Sequence, residues 1–152
     1  MVYLAIIGVI IIGERYMKEH IERNRELGKE EAIFNGNVII EKYHNKGVAL
    51  NFLEKYVSLV KVVTGTMIGL LLVVLGMLLK NKRNTLAKVG LALILGGAIS
   101  NWIDRMEKGY VVDYFRINKG KKLKNIVFNI ADICVFLGGL FVVIGELFST
   151  EK

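Results

Sequence analysis

The apolar residues of this chain are gathered into long runs, and its charges into clusters between them. That segregation constrains the fold more than any motif does. Val57–Leu79 is apolar throughout apart from small polar residues and one charge, Lys61, near its start. A helix needs about 20 such residues to cross a hydrocarbon layer about 30 Å thick, and Lys61 sits where a long side chain can snorkel to the interface. Leu86–Ile103 and Ile126–Phe148 read as two further spans. Met1–Gly13 is apolar too, but 13 helical residues rise only about 20 Å. A first span therefore has to draw Glu14–Met17 partly into the protein. This stretch lacks a basic leader and a small-x-small cleavage pattern, so it reads as an uncleaved helix. Hydrophobic residues make up 53% of the sequence and charged residues 23%. A mixture so unevenly distributed indicates a membrane bundle rather than a soluble domain.

The expected fold is an all-α integral membrane protein, a single domain over 1–152. It has four transmembrane helices at about 1–17, 57–79, 86–103 and 126–148, and outer loops at 18–56 and 104–125. The loop Lys80–Lys88 carries Lys80, Lys82, Arg83 and Lys88 and no acid. By the positive-inside rule it faces the cytoplasm, and both termini with it. The connection 14–56 balances its acids and bases, whereas 104–125 is net basic. The net charge of +7 is not arranged as a basic stripe interleaved with aromatics, so lipid headgroups suit it better than nucleic acid.

Within the first outer loop, Glu14–Glu31 reads as an amphipathic helix on the membrane surface or as a plain solvated helix. The style then changes. Asn35-Gly36-Asn37 is a turn signal and Val38-Ile39-Ile40 is β-branched, which predicts a small extracytoplasmic β-element. Val48–Phe52 is its expected second strand. Cys134, the only cysteine, is expected to be a packing residue. His20 and His44 stand alone as surface histidines, and no spacing suits a metal.

Ionisable groups at membrane spans are functional candidates because they are costly there. Asn101, Asp104 and Arg105 fall at i, i+3 and i+4, on one helical face, after the small residues Gly96, Gly97, Ala98 and Ser100. Asn129 and Asp132 share a face in the same way. Asp113 lies in Gly109-Tyr110-Val111-Val112-Asp113-Tyr114, which reads as extended. If Asp113 and Asp132 met, they would share one proton, the ionised member activating water and the protonated one polarising a carbonyl. Equally, Asp113 reads as a loop acid and Asp132 as a charge complementing a helix N-terminus. Spacing leaves both open.

The run GGAISNWIDRMEKGYVVDYF at 96–115, followed by FNIAD at 128–132, resembles the lipoprotein signal peptidase (signal peptidase II) family of aspartic peptidases. HNKGVAL at 44–50 is similar to that family's Asn-x-Gly-Ala-Ala-Phe element. ERYMK at 14–18 is similar to its Asp-Gln-x-x-Lys element at the end of the first helix. The resemblance spans nearly the whole chain, as a divergent member. It implies a membrane endopeptidase that cuts diacylglyceryl-modified prolipoproteins just before the lipidated cysteine, in the bacterial cytoplasmic membrane near its outer face. Asp113 and Asp132 would be the catalytic pair. Asn45, Asn101, Arg105 and Asn129 would hold the substrate backbone. Glu14, Lys18, Gly47 and Asp104 would support the site, with Asp104 holding Arg105. It further implies no metal or cofactor, a monomer, contact with membrane lipids, and inhibition by globomycin-type compounds. Departures fall at Glu14 (usually Asp), Arg15 (Gln), Val48, Leu50 and Asn51 (Ala, aromatic, Gly), Ser100 (Gly) and Ile126 (Pro). They touch the outer cradle and the helix packing, and leave both aspartates in place. Two other readings are a relative that binds lipidated peptides without cutting them, and a membrane scaffold or small transporter.

Overall fold

The structure is a computed structural model and describes residues 1–47, 54–80, 84–120 and 123–149. Its helices are α1 (Val2–Asn24), α2 (Val57–Leu79), α3 (Thr85–Lys108) and α4 (Ile130–Ser149). Its strands are β1 (Glu31–Ile33), β2 (Val38–Asn45), β3 (Val111–Ile117) and β4 (Val127–Phe128).

Three helix boundaries differ from the sequence expectation. α1 does not end near residue 17, and its charged half is not a separate surface helix. It runs unbroken to Asn24, and the chain becomes extended at Arg25. The reason lies in Glu14 and Lys18, one turn apart, which both point into the protein and are buried. α1 is therefore about 35 Å long. α3 continues past Ile103 to Lys108 and closes on Gly109 at φ +83, a left-handed position that glycine adopts freely. α4 begins at Ile130 rather than Ile126, because Val127 and Phe128 pair with β3.

α3 is the central helix, and α1, α2 and α4 all pack on it. Glycines make the close approaches. A Cβ at Gly90 would sit 2.6 Å from the Gly138 carbonyl oxygen, and one at Gly96 would meet Ile10. Any side chain there pushes the helices apart, and in lipid such close backbone packing replaces the hydrophobic drive. α2 is held more lightly. Trp102 Nε1 donates to the Lys61 carbonyl at 2.9 Å, over the gap left by Gly65. Among the described residues, three helical stretches are long and apolar enough to cross a membrane: Glu54–Leu79, Thr85–Lys108 and Ile130–Phe148. In the most apolar windows of the first and last, only 11% and 17% of residues are buried. Their large apolar side chains, such as Leu70, Met77, Phe136 and Leu147, face outward. In water that surface would be untenable, and in a bilayer it is the ordinary solvent contact.

The four strands form one antiparallel sheet in the order β1-β2-β3-β4. The turn at Asn35-Gly36 is where the sequence places it. The partner strand, however, is Glu31–Ile33, upstream of the turn, and Val48–Phe52 lies outside the described residues. The pairing that matters most is long-range. β2 lies on β3 with Asn45 opposite Val111 and Tyr43 opposite Asp113, across an irregularity between Ile40 and Tyr43. It delivers Asn45 to the segment that carries Asp113.

Candidate active site

α4 starts with a reciprocal cap. The Asn129 side-chain oxygen accepts from the Asp132 backbone N–H at 2.9 Å, and Asp132 Oδ2 accepts from the Asn129 N–H at 3.1 Å. This is capping-box geometry, and it fixes Asp132 in the first turn of the helix. The amide nitrogen of Asn129 remains free to point elsewhere. It donates to Asp113 Oδ1 at 2.7 Å and to Asn101 Oδ1 at 3.1 Å. One fully buried asparagine thus ties together β3, α3 and α4 and touches both aspartates.

Each carboxylate has a second amide donor. Asn45 Nδ2 donates to Asp113 Oδ2 at 3.0 Å, and Asn101 Nδ2 donates to Asp132 Oδ1 at 2.9 Å. Asn45 is itself held by the Gly47 N–H on its oxygen at 3.1 Å. Arg105 reaches across to the Gly47 carbonyl at 2.7 Å and bonds back to the Asn101 carbonyl at 3.2 Å. The HNKG stretch, with Asn45 and Gly47 buried, is therefore clamped between Asp113 and Arg105. The backbone is extended at Asp113, whose side chain is only 2% exposed. Burial first, and the like charge of Asp132 second, push the Asp113 carboxyl up to about 7. The Asp113 carboxyl is therefore harder to ionise than an exposed aspartate.

Behind this layer lies a buried ionic core. Lys18 Nζ sits 3.0 Å from Asp104 and 3.4 Å from Glu14, and donates to Asn101 Oδ1 at 2.8 Å and Ser100 Oγ at 3.3 Å. Glu14 Oε1 accepts from Tyr114 Oη at 2.6 Å and from the Ile130 N–H at 3.1 Å, at the N-terminus of α4. Asp104 does not hold Arg105, contrary to expectation. It pairs with Lys18 and Lys108 and accepts from the Val112 N–H. The two residues are neighbours on α3, and the roughly 100° turn between them sends one side chain toward α1 and the other toward Gly47. Asn101 and Asn129, assigned by resemblance to substrate backbone, spend most of their hydrogen-bonding groups on the aspartates and on Lys18.

Tyr114 and Ser100 belong to this support and escape a sequence reading of the site. Tyr114 sits in a strand start whose first four residues are all buried, so no alternation marks its face. Ser100 reads as a small packing residue. Leu50 and Asn51 lie outside the described residues. Among the described residues, no group of three or more histidine, cysteine or acidic side chains is placed to hold a metal ion.

The aspartates stand at the polar end of a cleft of about 490 Å³. Asn45, Asn101 and Arg105 share that end, and Ala98, Val135 and Phe136 line the apolar remainder. Polar groups converging on one end of an apolar cleft are the usual form of a ligand site.

Comparison with known proteins identifies the family and the fold. The family model described as signal peptidase (SPase) II matches residues 6–148. The lipoprotein signal peptidase of Lactiplantibacillus plantarum is 32% identical over 96% of this chain and 94% of its own length. The protein of that name from Halalkalibacterium halodurans is 34% identical over 93% and 90%. Two solved structures of bacterial membrane enzymes share the fold. Their TM-scores are 0.83 and 0.80, over 98% and 96% of this chain and 89% and 92% of theirs, at 24% and 23% identity. A family match running almost end to end, with relatives above 30% identity, means that this chain belongs to the signal peptidase II family.

Proposed function

We propose that Asp113 and Asp132 are the catalytic pair of this aspartic peptidase, which removes signal peptides from prolipoproteins in a bacterial membrane. The observation that carries the assignment is the shared asparagine. Asn129 bonds to both carboxyl groups at the polar end of the cleft, and each has a further amide donor of its own. Asp132, which accepts a backbone N–H in the first helical turn, takes a proton from the attacking water. Asp113 gives its proton to the carbonyl oxygen of the scissile bond. The tetrahedral intermediate then collapses with proton transfer to the leaving amine, and the pair returns to its starting state. Arg105 and the Gly47 turn border the track for the substrate backbone.

The finer reading places the cut just before the lipidated cysteine. The apolar side chains Val135 and Phe136 suit the acyl chains of that residue, and the aspartates sit beside them. Unlipidated precursor should therefore be a poor substrate for the purified enzyme in lipid. Equal cleavage of lipidated and unlipidated precursor, followed by gel shift, would remove lipid recognition from the mechanism. The same cleft is the place for a globomycin-type inhibitor, and a single copy of the chain supplies every group named.

α1 is the fourth span in this reading. Both termini and the basic loop 80–88 face the cytoplasm, and the sheet faces outward. A cysteine introduced at Lys82 should react with a membrane-impermeant reagent only after the inner face is opened. Labelling in intact cells would reverse the orientation.

Asp113 also gives the folded protein a pH signature. Its folded value of about 7 lies above the ordinary 3.8, so the native state holds this proton more tightly than the unfolded chain. Stability from this group is complete below about pH 4, falls as pH rises, and is lost by about pH 7. Asp113→Asn should flatten that part of the stability profile in thermal unfolding. An unchanged slope between the two pH values would mean that Asp113 is not held protonated.

A further inference from the structure

His44 is not the isolated surface histidine expected from the sequence. It is half-buried against α1 and has partners there. Its Nε2 lies 3.0 Å from both carboxyl oxygens of Glu22, in the last turn of α1. A carboxylate only accepts, so this nitrogen carries the hydrogen. The same carboxylate accepts from Tyr110 Oη at 2.9 Å, and the Tyr110 ring stacks on the imidazole with centroids 3.9 Å apart. Lys42 Nζ donates to the Glu22 carbonyl at 3.1 Å. Glu22 thus grips two side chains of β2 and the residue that precedes β3.

What this grip decides is which face of β2 meets the cleft. Ile40 lies opposite Phe115 and Tyr43 opposite Asp113, so three steps along β2 answer two along β3. One extra residue of this kind exchanges the faces of every later side chain relative to an unbroken ladder. Continued without it, the pairing of Ile40 would set Lys42 opposite Asp113 and His44 opposite Val111. Those two side chains would then share the face of Asp113, and Asn45 would turn toward α1. With the extra residue, Asn45 lies opposite Val111 and gives its amide to Asp113 at 3.0 Å, while Lys42 and His44 reach Glu22. The β2 partners of Glu22 are therefore the side chains that the bulged register alone brings to α1. The Gly28 N–H also bonds to the Lys42 carbonyl at 2.9 Å, so β2 keeps a backbone tie to this end of the protein when Glu22 is changed.

We propose that Glu22 is a positioning residue for the aspartate pair, on the reading that Asp113 is catalytic. By holding Lys42, His44 and Tyr110 it selects the bulged register of β2, and so sets the Asn45 amide on Asp113. Glu22 bonds to neither aspartate and is not among the residues that line the cleft. Its effect on the reaction passes through Asn45.

The test assays the full chain in lipid on lipidated prolipoprotein, as Glu22→Ala, Glu22→Gln, Asn45→Ala, and Glu22→Ala combined with Asn45→Ala. Thermal unfolding sets the folded fraction of each. Glu22→Ala should lower the turnover of folded protein by roughly 10- to 100-fold, the scale of a misplacement of about 1 Å. Glu22→Gln keeps one acceptor oxygen and should recover part of the loss. The alkaline limb of the kcat profile, where Asp113 loses its proton, should move to higher pH in Glu22→Ala, because the Asn45 amide favours the ionised form. The charged groups around Asp113, namely Asp132, Lys18 and Arg105, are unchanged in that variant. The combined variant should be no slower than Asn45→Ala alone, since residues that act through one contact are not additive. Additive losses, or a slow Glu22→Ala whose alkaline limb has not moved, would make Glu22 a structural clamp and overturn the proposal. Wild-type turnover in folded Glu22→Ala would overturn it as well. If Glu22→Ala does not fold, Glu22→Gln carries the same comparisons. Asp113→Asn, run beside them, keeps the two readings apart. Near wild-type turnover there removes the catalytic pair and the role of Glu22 with it, whereas loss of turnover there beside additive losses removes the role of Glu22 alone.

Discussion

Asp113→Asn and Asp132→Asn are each expected to slow cleavage of lipidated prolipoprotein by roughly 10³-fold or more, the scale on which positioned acids and bases act. An amide preserves the size of the carboxyl but neither accepts the proton of water nor passes one to a carbonyl oxygen. The double variant should be little slower than either single one, because groups that act as a unit fail together. Folding must be checked beside turnover, since the site's own hydrogen bonds are affected. Both oxygens of Asp113 accept amide donors, so Asp113→Asn sets a new NH₂ against one of them. Asp132→Asn keeps a cap on the Asn129 N–H only if the new NH₂ turns toward Asn101. Asp104→Asn is the control with the opposite signature. It weakens contacts to Lys18, Lys108 and Val112 and should lower the unfolding temperature more than the turnover of the protein that remains folded. Near wild-type turnover in either single aspartate variant would end the two-aspartate mechanism.

Hydrophobic patterning made the helices legible because lipid imposes one requirement everywhere: a long run without charge. α2 shows this best, its ends falling at Val57 and Leu79 as the sequence indicates. The extended setting of Asp113 was legible for a similar reason, since Val111 and Val112 are β-branched. What the sequence hid is pairing at a distance. Asp104 and Arg105 share a helical stretch, and their partners, Lys18 and Gly47, lie far away on other elements. No local period reports such a choice. The start of α4 was obscured differently. Ile126–Phe128 continues the apolar run, so hydropathy carries the helix too far back. The spacing Asn129-x-x-Asp132 does carry the true boundary, as a cap signal, although the same two residues also read as a catalytic motif. The structure shows the cap, and its geometry sets in place the carboxyl proposed as catalytic.

Lys18→Met is expected to be the most damaging substitution outside the aspartate pair. Lys18 is 1% exposed and is the cation between Glu14 and Asp104, both buried. Removing one partner of a buried ionic group typically costs about 3–5 kcal/mol, because the remaining charge has lost its compensation. Here two acids lose it, although Asp104 keeps Lys108 at 2.9 Å and Glu14 keeps Tyr114 and the Ile130 N–H. Glu14 should be the more exposed to the loss, so adding Glu14→Gln to Lys18→Met should recover part of the unfolding temperature. Activity should not follow. Lys18 also donates to Asn101 Oδ1, which orients the Asn101 amide toward Asp132. Without that cation Asn101 has less reason to keep its NH₂ on the carboxylate, so the double variant should fold and still turn over slowly. A double variant restored in both stability and turnover would reduce Lys18 to a structural counter-ion. A single Lys18→Met variant as stable as the parent would show that the ionic core does not hold the bundle together.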